Sequence, residues 1–271
     1  MSSKQIRLFA TDLDGTLLDD SGNIPDRNRE ALSKIIERGV RVAICTGRMY
    51  KSAMAFASQL GLRNTPVVCY NGSMVRDTEG NTSLHIRLDM DVALKLLAIF
   101  KERGVYVQAY IEDELYVKNA TASEFQNYTK YFGVAGRPIG DALYSPQTAP
   151  TKLLAITSGI DASHALIGEF SELFGGSLYV TTSNEDFVEM MNPAAGKGPC
   201  LKKVAETLGI PMENVMATGD GENDAEMIRL AGVGIAVANA RQKAKDAATC
   251  IAPSNEECGV AWAIEKYILG V

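Results

Sequence analysis

The 271-residue chain lacks any uninterrupted apolar stretch approaching the 20 or so residues that cross a bilayer, so no membrane partner is expected. Histidine is scarce: His85 and His164 are the only two, and both lie in segments without other chemically suggestive residues. Five cysteines, at 45, 69, 200, 250 and 258, include no C-x-x-C pair. Their odd number and spacing argue against a disulfide framework and a zinc site, and leave reduced, mostly buried thiols. Positive charge is in deficit, with 27 Lys and Arg against 33 Asp and Glu, a net charge of -6. That balance leaves no broad basic face, and nucleic acid is excluded as a partner. The opening "MSSKQIRLFATD" has a short apolar run and then acids, without the hydrophobic region or small-residue cleavage site of a secretory signal. A cytoplasmic location is the expectation.

What is present is an ordinary globular composition, 46% hydrophobic and 22% charged, at a length that suits two domains. The first third alternates strand and helix: "IRLFAT", a helix from Asp26 to Arg38, "VRVAIC", a helix from Met49 to Leu60, then "PVVCYN". Such alternation predicts a parallel sheet with crossover helices. From about residue 84 the texture changes. "VYVQAYIEDELYVKN" reads as a hairpin, a helix covers Ser123 to Phe132, and a proline-bearing loop leads into a strand-rich α/β stretch ending near "DFVEMMN". After Asn192 the parallel rhythm returns. The expected architecture is a doubly wound, Rossmann-like core over 1–84 and 189–271, with an α/β cap domain inserted over 85–188. Tyr106, Tyr110, Tyr116 and Tyr179 fall on predicted strands of the insertion, where packing is the favoured role.

Ligands of an open parallel sheet bind outside the carboxyl ends of its strands, so the residues just after each strand carry the information. After the first come Asp12 and Asp14; after the second, Thr46, Gly47 and Arg48; after the third, Asn71 and Gly72; after a later one, Gly219, Asp220, Asn223 and Asp224. Side chains two apart on extended backbone point the same way, so Asp12 and Asp14 can share one pocket. Two such charges about 4 Å apart repel by roughly 4 kcal/mol at an effective dielectric of about 20. Asp220 and Asp224 add to that repulsion, which calls for a hard divalent cation with oxygen ligands, Mg²⁺ by preference. Thr46, the Gly47 amide, Asn223 and Lys197, within "NPAAGKGPC", are suited to an anion. Cation and lysine together describe a phosphoryl site.

The strings "DLDGT" (12–16), "TGR" (46–48), Lys197 and "GDGENDAEM" (219–227), in that order, resemble the four motifs of haloacid dehalogenase-like phosphohydrolases, in particular the Cof-type sugar phosphatases. "YNGS" at 70–73 and the insertion after it extend the likeness over essentially the whole chain. The resemblance implies that Asp12 is the nucleophile that forms an aspartyl-phosphate and that Asp14 is the general acid and base. It implies Mg²⁺ held by the Asp12 carboxylate, the Asp14 backbone carbonyl and Asp220, with Asp224 in support. The Leu13 amide, Thr46, Gly47, Lys197 and Asn223 would then hold the transferring phosphoryl group, and the cap would select the leaving group. The expected function is hydrolysis of a small phosphorylated metabolite, a sugar phosphate by preference. A phosphotransferase or mutase and a non-catalytic binder of phosphorylated metabolites are the alternatives.

Overall fold

The structure, a computed structural model, describes residues 5–271 apart from the side chains of Tyr131 and Ser183. The first segment builds β1 (Leu8–Thr11), α1 (Asp26–Glu37), β2 (Arg41–Cys45), α2 (Tyr50–Gln59), β3 (Pro66–Cys69), β4 (Met74–Asp77) and β5 (Thr82–His85). The middle contributes α3 (Met90–Arg103), β6 (Val107–Ile111), β7 (Glu114–Val117), α4 (Ser123–Phe132), β8 (Gly136–Pro138), β9 (Lys152–Ile156), α5 (Ile160–Phe174), β10 (Tyr179–Asn184) and β11 (Phe187–Met191). The last segment holds α6 (Lys197–Thr207), β12 (Val215–Gly219), α7 (Ala225–Leu230), β13 (Val233–Val237), α8 (Gln242–Ala247), β14 (Cys250–Ala252) and α9 (Gly259–Ile264).

An eight-stranded sheet runs in the order β14-β13-β12-β1-β2-β3-β4-β5. β1 pairs in parallel with β2 on one side and β12 on the other, Leu8 lying opposite both Arg41 and Val215. Every residue of β1 is buried, as a strand covered on both faces requires, and this is why it reads as a continuous apolar run rather than an alternation. The chain leaves β1 toward β2 and β3 and returns later to β12, β13 and β14 on its other side. The strand order therefore reverses between β1 and β12, the position at which doubly wound sheets form their ligand crevice. In α1, Asn28, Ala31, Leu32 and Ile35 make the buried stripe, and the helix packs against α9. β4 and β5, which have no expected counterpart, extend the sheet edge, with β4 antiparallel to β3.

The chain divides into two compact units. One runs up to Arg48 and includes Ala53–Ser83 and Gly196–Val271; the other comprises Met49–Ser52 and Leu84–Ala195. The second boundary lies later than the expected 188, because β11 pairs along its length with β9 and β10 and so belongs wholly to the inserted unit. That unit carries a six-stranded sheet in the order β10-β11-β9-β6-β7-β8. Its core joins Leu96 and Phe100 of α3 and Phe170 of α5 to Val107, Ala109, Leu153, Ala155, Val188 and Met190 of the sheet. Phe100 and Phe170 meet edge to face with centroids 5.5 Å apart. Burying each such ring contributes roughly 2 to 3 kcal/mol.

The sequence reading missed α3, although its signals are present. Asp89 caps it by accepting from the amides of Asp91 and Val92, Gly104 ends it in the left-handed conformation, and Ala93, Leu96, Leu97 and Phe100 recur at helical spacing. Tyr110 is buried and shares a hydroxyl contact of 2.6 Å with Tyr128, and Tyr116 packs against the core of the unit. Cys45, Cys69 and Cys200 are buried, and no described cysteine is in a disulfide. No helix among the described residues is long and apolar enough to cross a membrane.

Candidate active site

The site residues all belong to the larger unit and collect where β1, β2, β3 and β12 end. Asp12 leaves β1 with its amide donating to the Thr218 carbonyl on β12 (3.0 Å), so the first carboxylate is tied to the strand that delivers Asp220. Gly15 turns the chain at a φ of +70°, and its carbonyl accepts from Asn239 Nδ2 at 2.7 Å. A Cβ at Gly15 would stand 2.6 Å from Asp220 Oδ2, so glycine brings the two motifs into contact. The next residue, Thr16, donates its hydroxyl to Asp220 Oδ1 at 2.8 Å.

Lys197, the first residue of α6, is almost fully buried at 1% exposure. Its Nζ donates to Asp12 Oδ1 at 2.9 Å and to Asp224 Oδ1 at 2.6 Å. The other oxygen of Asp224 accepts the amides of Asp220 (3.1 Å) and Gly221 (2.9 Å), which shapes the loop after β12. Asp12, Asp220 and Asp224 each offer an oxygen within 4.8 Å of the others'. The carboxylate of Asp14 stands apart from this cluster. Both of its oxygens accept from Arg48, Oδ2 from Nε at 2.7 Å and Oδ1 from a terminal nitrogen at 2.5 Å, a forked two-point pairing.

The side chains thus supply part of the positive charge that the acidic cluster calls for. Four carboxylates against Lys197 and Arg48 leave two negative charges uncompensated, the charge of one divalent cation. The electrostatics point the same way. Burial, then the charge of Asp224, raise the Asp12 carboxyl well above the usual carboxylate range, and Lys197 only partly opposes them. Burial and Asp224 likewise push Asp220 up to about 7, against the Thr16 hydroxyl and Lys197. Lys197 itself loses to burial but gains more from Asp12 and Asp224, so its ammonium is held charged. A hard cation among these oxygen donors fits the residues present.

Of the expected phosphate-holding groups, Leu13 follows Asp12 directly in the turn after β1, and Thr46 and Gly47 form the loop after β2. The Thr46 hydroxyl accepts the Arg48 amide at 3.1 Å. Asn223 sits after β12 and donates its amide to Asn71 Oδ1 at 2.8 Å. The sequence reading gave no role to four supporting residues. Arg48 holds Asp14, Thr16 holds Asp220, Asn239 pins Gly15, and Asn71 holds Asn223. Tyr70 and Asn71 both take positive φ, at 52° and 53°, and their amides donate to the carbonyls of Arg48 and Thr46 (3.0 Å each), which clamps the loop after β3 onto the loop after β2. The available signal was topological: residues following adjacent parallel strands meet at one edge.

Gly72 continues this clamp at a φ of +98°, and a Cβ there would lie 2.3 Å from the carbonyl oxygen of Gly196, the residue before Lys197. Gly72→Ala is therefore expected to destabilise the fold by about 2 to 4 kcal/mol and to lower turnover by displacing Lys197, measurable in a urea melt and a phosphate-release assay. An unchanged midpoint would show that the backbone there adapts freely.

Clustered aspartates and one buried lysine lie where the order of a parallel sheet reverses, an arrangement suited to holding a cation and a phosphoryl group. Residues 9–264 match the family model described as haloacid dehalogenase-like hydrolase, and the chain belongs to that family. It is similar to the 5-amino-6-(5-phospho-D-ribitylamino)uracil phosphatase YwtE of Bacillus subtilis, at 27% identity over 98% of this chain and 99% of that protein. It is also similar to phosphatase YwpJ of the same organism, at 28% identity over 94% and 98%. Among solved structures, a haloacid dehalogenase-like hydrolase from Bacteroides thetaiotaomicron superposes with a TM-score of 0.87 at 29% identity, over 97% of this chain and 99% of that one. The protein is an enzyme of the phosphatase class.

Proposed function

We propose that this phosphatase is Mg²⁺-dependent and hydrolyses small phosphorylated metabolites of the sugar or polyol phosphate type through an aspartyl-phosphate on Asp12. The observation that carries this reading is the buried Lys197 ammonium spanning Asp12 and Asp224, with Asp220 completing the cluster. Asp12 attacks phosphorus in line, and Asp14 protonates the departing alkoxide. Asp14 then takes a proton from the water that attacks the aspartyl-phosphate, releasing orthophosphate and restoring Asp12. The Leu13 and Gly47 amides, Thr46, Lys197 and Asn223 hold the oxygens of the transferring group, whose charge they stabilise.

The Asp12 carboxylate, the Asp14 carbonyl and Asp220 would hold Mg²⁺, which would neutralise charge on the phosphoryl group. Asp224, with both oxygens already accepting, serves as the support that orients the Asp220 loop and Lys197. Arg48, paired with both oxygens of Asp14, favours the carboxylate that suits the second step, and the first step requires Asp14 to enter protonated, with that pairing broken. The inserted unit is assigned selection of the leaving group. The relatives support the substrate class: the name of YwtE specifies a phosphate on a ribityl chain.

Removal of divalent metal with EDTA is expected to stop phosphate release from an aryl phosphate, and added Mg²⁺ to restore it. The pH dependence follows from Asp220. Its folded value lies above the unfolded value of about 4, so between about pH 4 and 7 the folded state holds the extra proton, and metal-free stability falls as pH rises through that window. Ligation requires the ionised form, so Mg²⁺ should raise the melting temperature more at pH 8 than at pH 6. An equal increment at both values would remove Asp220 from the ligand set. Phosphate release across a panel of phosphorylated sugars and polyols, ranked by kcat/KM, tests the substrate class, and a phosphate moved to another hydroxyl instead of released would indicate a mutase.

A further inference from the structure

The other end of the same sheet carries a second concentration of charge, of opposite sign. A cavity of about 380 Å³ opens beside the amino ends of β1 and β2, lined by Arg7, Arg38 and Arg41 together with Gln5, Leu208 and Ile210. Its arginines are placed by backbone structure. The Arg41 amide donates to the Arg7 carbonyl at 2.9 Å, setting those two residues side by side, and Arg38 ends α1 just before the left-handed turn at Gly39.

Among the described residues, Arg27, Arg29, Arg48, Arg87, Arg103 and Arg137 each lie within 4.0 Å of a carboxylate, and none of Arg7, Arg38 and Arg41 does. Two of the three are anchored by neutral acceptors instead. Arg41 donates to the Asn64 carbonyl at 2.8 Å and Arg38 to the Leu269 carbonyl at 3.4 Å. Such bonds hold a guanidinium in place without neutralising it, and each guanidinium keeps further donors of its five for another partner.

We propose that this cavity binds a small polyanion carrying two or more phosphoryl groups. Three arginines lining one cavity, two of them anchored, match a diphosphate or triphosphate better than a single orthophosphate, their forked donors suit phosphate oxygens, and Leu208 and Ile210 offer an apolar wall to the body of the ligand. Five residues of extended chain, about 16 Å, separate Arg7 from Asp12, so the cavity is distinct from the catalytic loops and does not depend on the reaction assigned to them.

The test uses the full-length protein with inorganic tripolyphosphate as the probe, at about 0.15 M salt to suppress unspecific attraction. Hydrogen exchange should show saturable protection of residues 38–41 and 208–210. The Arg7→Gln/Arg38→Gln/Arg41→Gln variant should bind at least about tenfold more weakly by calorimetry, and Arg7→Gln alone should weaken binding measurably. Turnover of an aryl phosphate should stay unchanged in both, which also reports that they fold. Protection confined to residues 12–16, 46–48 and 219–224, or an affinity in the triple variant within about twofold of the parent, would overturn the proposal.

Discussion

Asp12→Asn is expected to lower kcat by roughly 10⁴-fold while raising the thermal stability of the metal-free protein at pH 8. An amide cannot attack phosphorus, so the covalent route closes. The gain in stability comes from the same carboxylate. Burial, Asp224, Asp220 and Asp14 together outweigh Lys197 and raise the Asp12 carboxyl above its unfolded value. A raised acid destabilises the folded state as pH climbs from the unfolded value to the folded one, and the full penalty stands above both. Replacing the charge with an amide removes that penalty, and Lys197 retains Asp224 at 2.6 Å. A carboxylate held in a site that opposes its charge is a common exchange of stability for function. Retention of more than a few per cent of activity, or a lower melting temperature in EDTA at pH 8, would contradict this view of Asp12.

Lys197→Met should act in the opposite direction on stability and the same direction on activity. Met has a similar length and no charge, so packing is nearly conserved while Asp12 and Asp224, 6% and 0% exposed, lose their shared cation. Breaking a buried pair by removing one partner costs about 3 to 5 kcal/mol, because the remaining charge stays buried and uncompensated. Urea denaturation measures the loss directly. Combining Asp12→Asn with Lys197→Met should recover part of it, since one of the two stranded carboxylates is then neutral, and such non-additivity would locate the energy in the pair. A Lys197→Met variant as stable as the parent would show that the bridge carries little of the electrostatic balance.

The order of the motifs made much of this site legible in the sequence. Asp12, Asp220 and Asp224 meet because strand ends of a parallel sheet face one edge, a rule that needs only the alternation of strands and helices, and Lys197 reaches them from the start of α6. Two things were out of reach for related reasons. The acidic repulsion argued for a cation, but Lys197 and Arg48 compensate half of it and Asp14 pairs with Arg48 rather than with the cluster, contacts that no spacing in the sequence encodes. The contacts that fix the loops, such as Asn223 to Asn71 and Thr16 to Asp220, join residues 152 and 204 positions apart, and no local pattern encodes such partners. α3 is different. Its cap, its periodicity and its terminal glycine were all local, and the sequence reading assigned no element there. The compact unit runs past the expected 188 to Ala195 because β11 is paired on both sides within it, a register the sequence does not display.

The central claim is that Asp12 carries the phosphoryl group during turnover. Quenching the Mg²⁺-loaded enzyme in acid during steady-state hydrolysis, then sequencing peptides by mass spectrometry, should find one phosphoryl group on Asp12, absent from the Asp12→Asn variant. Turnover that proceeds with no acyl-phosphate on the protein, or with the label on another residue, would contradict it.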